Sequence, residues 1–131
     1  MMAAAVLLAA QLASGQPFEW RVETAWYDPG LCRTAPINCF DPLYPYRMAA
    51  GHDAREWYGR ALACPEEFPL ETKFIITGSR FNLANGEWLC LDRGGMIVMR
   101  PDGTAIVDLL SRHPVWRERL VVSVRLPNDD R

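Results

Sequence analysis

The sequence predicts an all-β protein, a small closed barrel of six strands with long loops and at most short helices. Short runs of apolar or alternating residues recur along the chain, and clusters of glycine, proline, asparagine and aspartate separate them. Closure into a barrel removes the exposed edges that such apolar strands would otherwise present. A β-sandwich is the competing architecture. A chain of 131 residues is expected to form one domain.

The first predicted strand spans residues 20–26, in which bulky side chains alternate with charged or small ones. A long structured loop is expected over residues 27–46, because its prolines forbid a helix and disfavour a central strand. Long ordered loops in small domains usually carry function.

Composition and turn signals predict the remaining elements. One helical turn is expected over 53–58 and a brief helix, capped by Ser111, over 111–117. The polar tail from Pro127 onward is expected to fray. Further strands, which bring the total to six or seven, are predicted over residues 60–64, 72–77, 87–91, 96–99, 104–109 and 120–126.

The N-terminus predicts a signal peptide over residues 1–15, followed by a barrel domain over 16–131. The apolar run from Ala3 to Ala13 is too short to span a bilayer, and small residues follow it, although a leading Lys or Arg is absent. A disordered or packed apolar arm is the alternative. We therefore expect a protein without a stable membrane span that is secreted or held in the cell envelope.

Four cysteines, at positions 32, 39, 64 and 90, agree with export, because an even count suits disulfides in an oxidising compartment. The preferred pairings are Cys32–Cys39, closing a short proline-rich loop, and Cys64–Cys90, joining two strands. Free buried thiols are the alternative. No CxxC pair, cluster of metal ligands or phosphate-cradling glycine loop occurs, so neither a metal site nor a cofactor is expected.

Charge and composition limit the partners. The formal net charge is −2 and no cluster of Lys or Arg stands out, so nucleic acid is not an expected partner. Half of the residues are hydrophobic, which argues against disorder. We expect a monomer.

Two aspartates stand in unusual surroundings. Asp92 precedes the pair Gly94-Gly95, and Asp108 lies inside an apolar run. An aspartate among buried strand residues costs desolvation energy unless it is hydrogen-bonded or protonated. The two glycines allow close approach of a backbone or ligand. Asp92 and Asp108 are therefore candidate acid/base residues.

Four segments in order, 59–65, 69–78, 92–97 and 106–110, resemble the double-psi β-barrel of bacterial cell-wall enzymes. The closest pattern is the three-aspartate (3D) domain shared with membrane-bound lytic transglycosylase A. Rare lipoprotein A and the expansin and barwin proteins are similar. The resemblance covers residues 22–126, with Cys64 standing where the family has its first aspartate.

The resemblance implies a secreted protein that cleaves the glycan strands of peptidoglycan as a lytic transglycosylase. In that reaction the C6 hydroxyl of the sugar attacks, so one carboxyl can serve as acid and then as base. The resemblance makes Asp108 the acid/base, Asp92 its partner, and Thr24 and Tyr27 residues of the substrate groove, with Gly94 and Gly95 beside them.

Other interpretations remain open at the level of sequence. Asp92 could cap a loop through backbone N–H groups, and Asp108 could simply end its strand. The barrel would then be a non-catalytic module that binds or loosens wall polysaccharide, as expansins do. A disulfide-stabilised inhibitor of another protein is a third possibility. His52 and His113 are expected to be bystanders.

Overall fold

The computed structural model describes residues 4–127 and consists of one helix followed by a closed barrel. The predicted tail beyond Pro127 lies outside the described residues. The helix is α1 (Ala4–Ser14), and the strands are β1 (Phe18–Tyr27), β2 (Ala61–Ala63), β3 (Lys73–Ile76), β4 (Gly86–Asp92), β5 (Ala105–Leu110) and β6 (Arg119–Arg125).

The six described strands close in the order β1-β5-β2-β4-β3-β6, with β6 pairing back to β1. Strands β1 and β5 are parallel, as are β2 and β4, and the other pairs are antiparallel. The predicted small all-β barrel of six strands is therefore confirmed, and the sandwich is not adopted.

Alternation along the strands separates the barrel interior from its outer face. On β5, Ala105, Val107 and Leu109 belong to the main core, whereas Leu110 packs into a second cluster on the outer face. Because side chains alternate along a strand, Asp108 shares the outer face with Leu110. The largest fully buried side chains include Trp88, and each such side chain contributes roughly 1.5–3 kcal/mol.

The second cluster forms where the segment 46–58 packs on the outside of the barrel. Its buried members are Tyr27, Met48, Ala54, Ala61, Ala63, Leu91 and Leu110. The predicted helical turn over 53–58 is present as a single 3₁₀ turn at Ala54–Glu56, where the Asp53 carboxylate accepts the Arg55 N–H. This packing covers part of the outer face and leaves the neighbouring part open.

Two predicted elements are wrong. Residues 96–99 form no strand: the Ile97 N–H closes a turn on the Gly94 carbonyl, and the contact with β5 is limited to a single bridge between Met99 and Ala105. Residues 111–117 form no helix. The Ser111 hydroxyl accepts the His113 N–H, and the following Pro114 disfavours helical backbone at His113.

Helix α1 packs against the barrel. Leu8 is only 1% exposed and belongs to the main core, and Leu12 packs against the same core. Gly103, with a φ of 90°, permits this approach, since a Cβ there would lie 2.9 Å from the Ala4 Cβ. The structure thus shows the packed apolar arm, and the signal peptide stays a prediction. No helix within residues 4–127 is long and apolar enough to cross a membrane.

The structure contains two disulfides, Cys32–Cys39 and Cys64–Cys90, which are the pairings that the sequence favoured. Cys32–Cys39 closes the loop after β1. Cys64 and Cys90 are fully buried in the main core, where their bond joins the end of β2 to β4. The longer loop, with a sequence separation of 26 residues, should restrict the unfolded chain more than the shorter loop does.

Replacing both Cys64 and Cys90 with alanine is expected to lower the free energy of unfolding by about 3.5 kcal/mol, from the entropy of the opened loop. Urea unfolding monitored by tryptophan fluorescence measures this loss. The matched double alanine variant of Cys32 and Cys39 opens a loop of separation 7 and should lose only about 2.4 kcal/mol. A larger loss at Cys32–Cys39 would contradict the chain-entropy explanation.

Candidate active site

An open cleft of about 560 Å³ lies on the outer face of the barrel, beside the second cluster. Its floor comes from β1, β5, β2 and the end of β4. One side is an apolar wall of exposed side chains, which we define as Ile37, Phe40 and Met96. The cleft is therefore shaped by the disulfide-closed loop after β1 and by the loop that follows Asp92.

The floor of the cleft is a row of four residues across four neighbouring strands. Ala25 pairs with Asp108, Asp108 pairs with Ala63, and Ala63 pairs with Asp92. Residues directly opposite in a sheet point to the same face, so both carboxyls face the cleft. Strands lie about 4.8 Å apart, which places the Cα atoms of the two aspartates roughly 10 Å apart. The small alanines between and beside them leave room for a ligand.

Asp92 reaches this row because of a β-bulge. The step from Leu62 to Ala63 on β2 is matched by two residues, Leu91 and Asp92, on β4. Cys90 belongs to the main core, and strict alternation would send Asp92 inward as well. The extra residue turns the Asp92 carboxyl to the outer face, as bulges beside functional sites commonly do.

Three donors hold the Asp92 carboxylate, which is 2% exposed. Its Oδ2 accepts from the Tyr27 hydroxyl at 2.8 Å, and its Oδ1 accepts from the backbone N–H groups of Ala49 and Arg93, each at 2.9 Å. Burial raises the pKa of Asp92, and these hydrogen bonds offset part of that rise. Burial also raises the pKa of Tyr27, so its hydroxyl stays a donor.

Asp108 has the opposite environment. Its Oδ1 is buried and has no hydrogen-bond partner among the described residues. Burial first, and then the charge of Asp92, raise the pKa of Asp108 to about 7, against an opposing effect of Arg117. Of the two carboxyls, Asp92 has the donors that stabilise an anion, so the proton of the pair stays on Asp108.

Most of the residues predicted from the sequence line this cleft. Asp92, Asp108, Tyr27, Gly94 and Gly95 all contribute to its surface. At Gly94 a Cβ would come within 3.0 Å of the Ile97 side chain, so a larger residue would push on the loop, whereas Gly95 has open space around it.

Thr24 is placed elsewhere. It is fully buried, pairs with the core residue Val107, and does not belong to the cleft surface. Its hydroxyl contacts the backbone of Glu118, accepting from the N–H at 3.3 Å. The structure therefore gives Thr24 a packing role between β1 and the segment before β6.

Sequence reasoning missed the role of Arg93. Its guanidinium donates to the carbonyl oxygens of Cys64, Pro65 and Phe68 at 3.1, 2.9 and 2.7 Å. These bonds fix the chain after β2 against the loop that carries Asp92. In the sequence Arg93 is marked only by its position directly after Asp92. That position does not predict carbonyl partners that lie more than 20 residues earlier in the chain.

Sequence reasoning also missed a charged edge of the cleft, which we call the cationic rim and define as Arg100 and Arg117. Both side chains line the cleft, and both contact the carboxylate of Glu23 on β1. The three residues are far apart in sequence, so no run of like charge signals the rim. The cleft thus has an apolar wall and a cationic edge above a floor that carries two acids.

Replacing Tyr27 with phenylalanine is expected to lower the free energy of unfolding by about 1.5–3 kcal/mol at neutral pH, because the buried Asp92 carboxylate loses a charge-assisted hydrogen bond. Urea unfolding measures the loss. Tyr44→Phe is the matched control, since Tyr44 is exposed, and it should change stability by less than about 0.5 kcal/mol. Equal stability of Tyr27→Phe and the wild type would contradict the proposed anchoring of Asp92.

The remaining chemical groups do not add a second centre. No group of three or more potential metal ligands occurs within the described part of the chain. His52 packs edge-on against Trp57, and His113 lies in the turn at Ser111, and neither histidine lines the cleft. The cleft therefore offers general acid/base chemistry from Asp108 beside an anchored carboxylate.

Comparisons of the chain with protein-family models, with curated proteins and with solved structures found no match.

Proposed function

We propose that the cleft binds a wall polysaccharide and cleaves it as a lytic transglycosylase acting on the glycan strands of peptidoglycan. One observation carries the proposal: Asp108 is a half-buried carboxyl that lines an open cleft, one of its two oxygens has no hydrogen-bond partner among the described residues, and its pKa is raised to about 7. A carboxyl that keeps its proton near neutral pH is what protonation of a glycosidic oxygen requires.

The proposed reaction uses Asp108 twice. Its proton passes to the glycosidic oxygen, the bond from that oxygen to C1 breaks, and the leaving sugar departs with a free hydroxyl. The C6 hydroxyl oxygen then attacks C1, and its proton returns to the Asp108 carboxylate. The products are a 1,6-anhydro end and a new hydroxyl end, and no water is consumed.

The proposed role of Asp92 is electrostatic. Its carboxylate is fixed by three hydrogen bonds and faces the same cleft as Asp108. A fixed negative charge favours the protonated form of Asp108 before the reaction and stabilises the positive charge that develops at C1. Because Tyr27 holds Asp92 from below, Tyr27 is a positioning residue in this scheme.

The fold and the disulfides support the wider proposal. A closed barrel with two parallel strand pairs is compatible with the double-psi barrel and 3D domain that the sequence resembles. Two disulfides favour an oxidising compartment, in agreement with a protein of the cell envelope or exterior, and the proposal takes that protein to act as a monomer. In this proposal residues 1–15 serve as the signal peptide during export.

Digestion of purified peptidoglycan sacculi with the purified protein tests the function. Mass spectrometry of the released fragments should show ends lighter by one water than hydrolysed ends, which is the mark of the anhydro product. Ends that carry the additional water would show that the protein is a hydrolase instead of a transglycosylase. Absence of released fragments from freshly prepared, oxidised protein would overturn the proposed cleavage.

A non-catalytic polysaccharide-binding or wall-loosening module is the second candidate, and the hydrogen bonds of Asp92 favour it. Its two backbone donors are those expected if Asp92 only caps the loop. The apolar wall offers exposed surface for the faces of sugar rings in either function. Co-sedimentation with sacculi in the absence of soluble fragments would identify this candidate.

A further inference from the structure

The two arginines of the cationic rim and a third, Arg119, surround the single carboxylate of Glu23. Glu23 Oε2 lies 2.6 Å from Arg100 Nη2 and 3.9 Å from Arg117 Nη1, and Glu23 Oε1 lies 3.6 Å from Arg119 Nε. The Glu23 side chain is 11% exposed, so it stays fixed in the wall of the barrel. These ion pairs share one acid among three guanidinium groups.

The shared acid leaves positive charge at the cleft. Arg100 and Arg117, which line the cleft, contribute +2 and Glu23 contributes −1, an excess of +1 at the rim. Arg119 does not line the cleft, and a second acid, Asp102, lies near it. Arg100 and Arg117 line the cleft, and the Arg117 side chain is 72% exposed. The excess charge is therefore available to a ligand at the rim.

The cationic rim lies near the proposed reacting group, the carboxyl of Asp108. Arg117 is close enough to Asp108 to lower the pKa of that carboxyl. The apolar wall contributes to the same cleft. A ligand that meets all these surfaces needs a ring with an apolar face and an anionic substituent next to it. A planar guanidinium pairs with a carboxylate through two parallel hydrogen bonds.

We propose that the cleft selects an anionic saccharide, and that Arg100 and Arg117 bind a carboxylate carried by the sugar next to the bond above Asp108. This inference rests on the proposed function in one respect, namely that the ligand is a saccharide. It adds the charge of the substrate and the residues that recognise it. The muramic acid carboxyl of peptidoglycan is amide-bonded wherever a peptide is attached, so the preferred ligand is a strand from which the peptide has been removed. A neutral sugar strand of the same shape is then a weaker ligand.

A pair of probes that differ only in charge tests the proposal on the full chain. N-acetylmuramic acid carries a carboxylate, and its methyl ester does not. Titration followed by NMR chemical shifts should show the acid binding about tenfold more tightly than the ester at low salt, since charge-assisted hydrogen bonds are the strong ones. In muramyl dipeptide the carboxylate belongs to the peptide and lies farther from the ring. Weaker binding of muramyl dipeptide than of N-acetylmuramic acid would support a carboxylate on the sugar, and tighter binding would overturn that assignment.

Charge-neutral variants assign the effect to the rim. Arg117→Gln should reduce the preference for the acid to about twofold or less, and Arg100→Gln should act in the same direction. Arg119→Gln is the matched control, because it loses the same charge and the same Glu23 partner outside the cleft, and it should keep the preference. Thermal melts of all three variants show that the fold is retained, and exposed Arg117 carries the test if Arg100→Gln is unstable.

The outcomes separate this inference from the function on which it rests. Equal binding of acid and ester, together with release of anhydro fragments from sacculi, would overturn the anionic preference and leave the proposed cleavage intact. An unchanged preference in Arg117→Gln would overturn the assignment to the rim. Absence of binding by any of these saccharides, together with no release from sacculi, would overturn both proposals.

Discussion

Replacing Asp108 with asparagine is expected to lower the rate of glycan cleavage by roughly 10²–10⁴-fold, the usual contribution of a general acid/base. An amide of the same shape can neither release the proton that the leaving oxygen needs nor accept the proton of the attacking hydroxyl. The rate of release of soluble fragments from labelled sacculi at pH 6 measures the loss. Binding of sacculi should change much less, because asparagine fills the same space.

Asp53→Asn is the matched control for this loss. Asp53 is a surface aspartate that pairs with Arg55 at 2.7 Å and does not line the cleft, so its removal should leave the rate within twofold of the wild type. Both variants should keep the wild-type circular dichroism spectrum. An Asp108→Asn protein that retains more than a tenth of the rate would rule out Asp108 as the acid/base.

The same substitution is expected to stabilise the protein at alkaline pH. The pKa of Asp108 is raised to about 7 in the folded state, whereas an aspartate in an unfolded chain has a pKa of about 3.9. Between these values the unfolded state ionises and the folded state does not, so wild-type stability falls as the pH rises from about 4 to about 7. Above pH 7 the full cost remains, at most about 4 kcal/mol by linkage.

Asp108→Asn removes this cost, since an amide does not titrate. The variant should be more stable than the wild type by about 2–4 kcal/mol at pH 8, and the difference should shrink toward zero near pH 4. Urea unfolding at pH 4, 6 and 8 provides the comparison. Asp53→Asn is again the control, because Arg55 lowers the pKa of Asp53 and its loss should bring no gain at pH 8. A variant of Asp108 that is no more stable than the wild type at pH 8 would contradict the raised pKa.

The sequence predicted the parts of the fold that depend on local pattern. Alternation between bulky and charged or small residues identified β1, and the composition and turn signals of short apolar runs identified β3, β5 and β6. The same signal failed at Val98, which lies in an apolar run but is exposed, because the pairing of this segment with β5 is limited to the single bridge between Met99 and Ala105. Pairing of this kind is a property of the whole barrel and cannot be read from four residues.

The candidate site was predictable only in part for the same reason. Asp108 stood out because its sequence neighbours are apolar, and burial among them is what raises its pKa. The inward direction of Thr24 follows from the register of β1, which its own neighbours do not determine. The cationic rim consists of Arg100 and Arg117, which share the partner Glu23, and only the closed barrel brings these three residues together.

The bulge in β4 has a consequence for how such a site is gained or lost. The outward direction of the Asp92 carboxyl depends on one additional residue between two strands, since Leu91 and Asp92 together oppose a single step of β2. Deletion of one residue there would turn the Asp92 side chain toward the apolar interior of the barrel, although every aspartate would still be present in the sequence. For the proposed reaction, the number of residues at that single point would then matter as much as the identity of the acids.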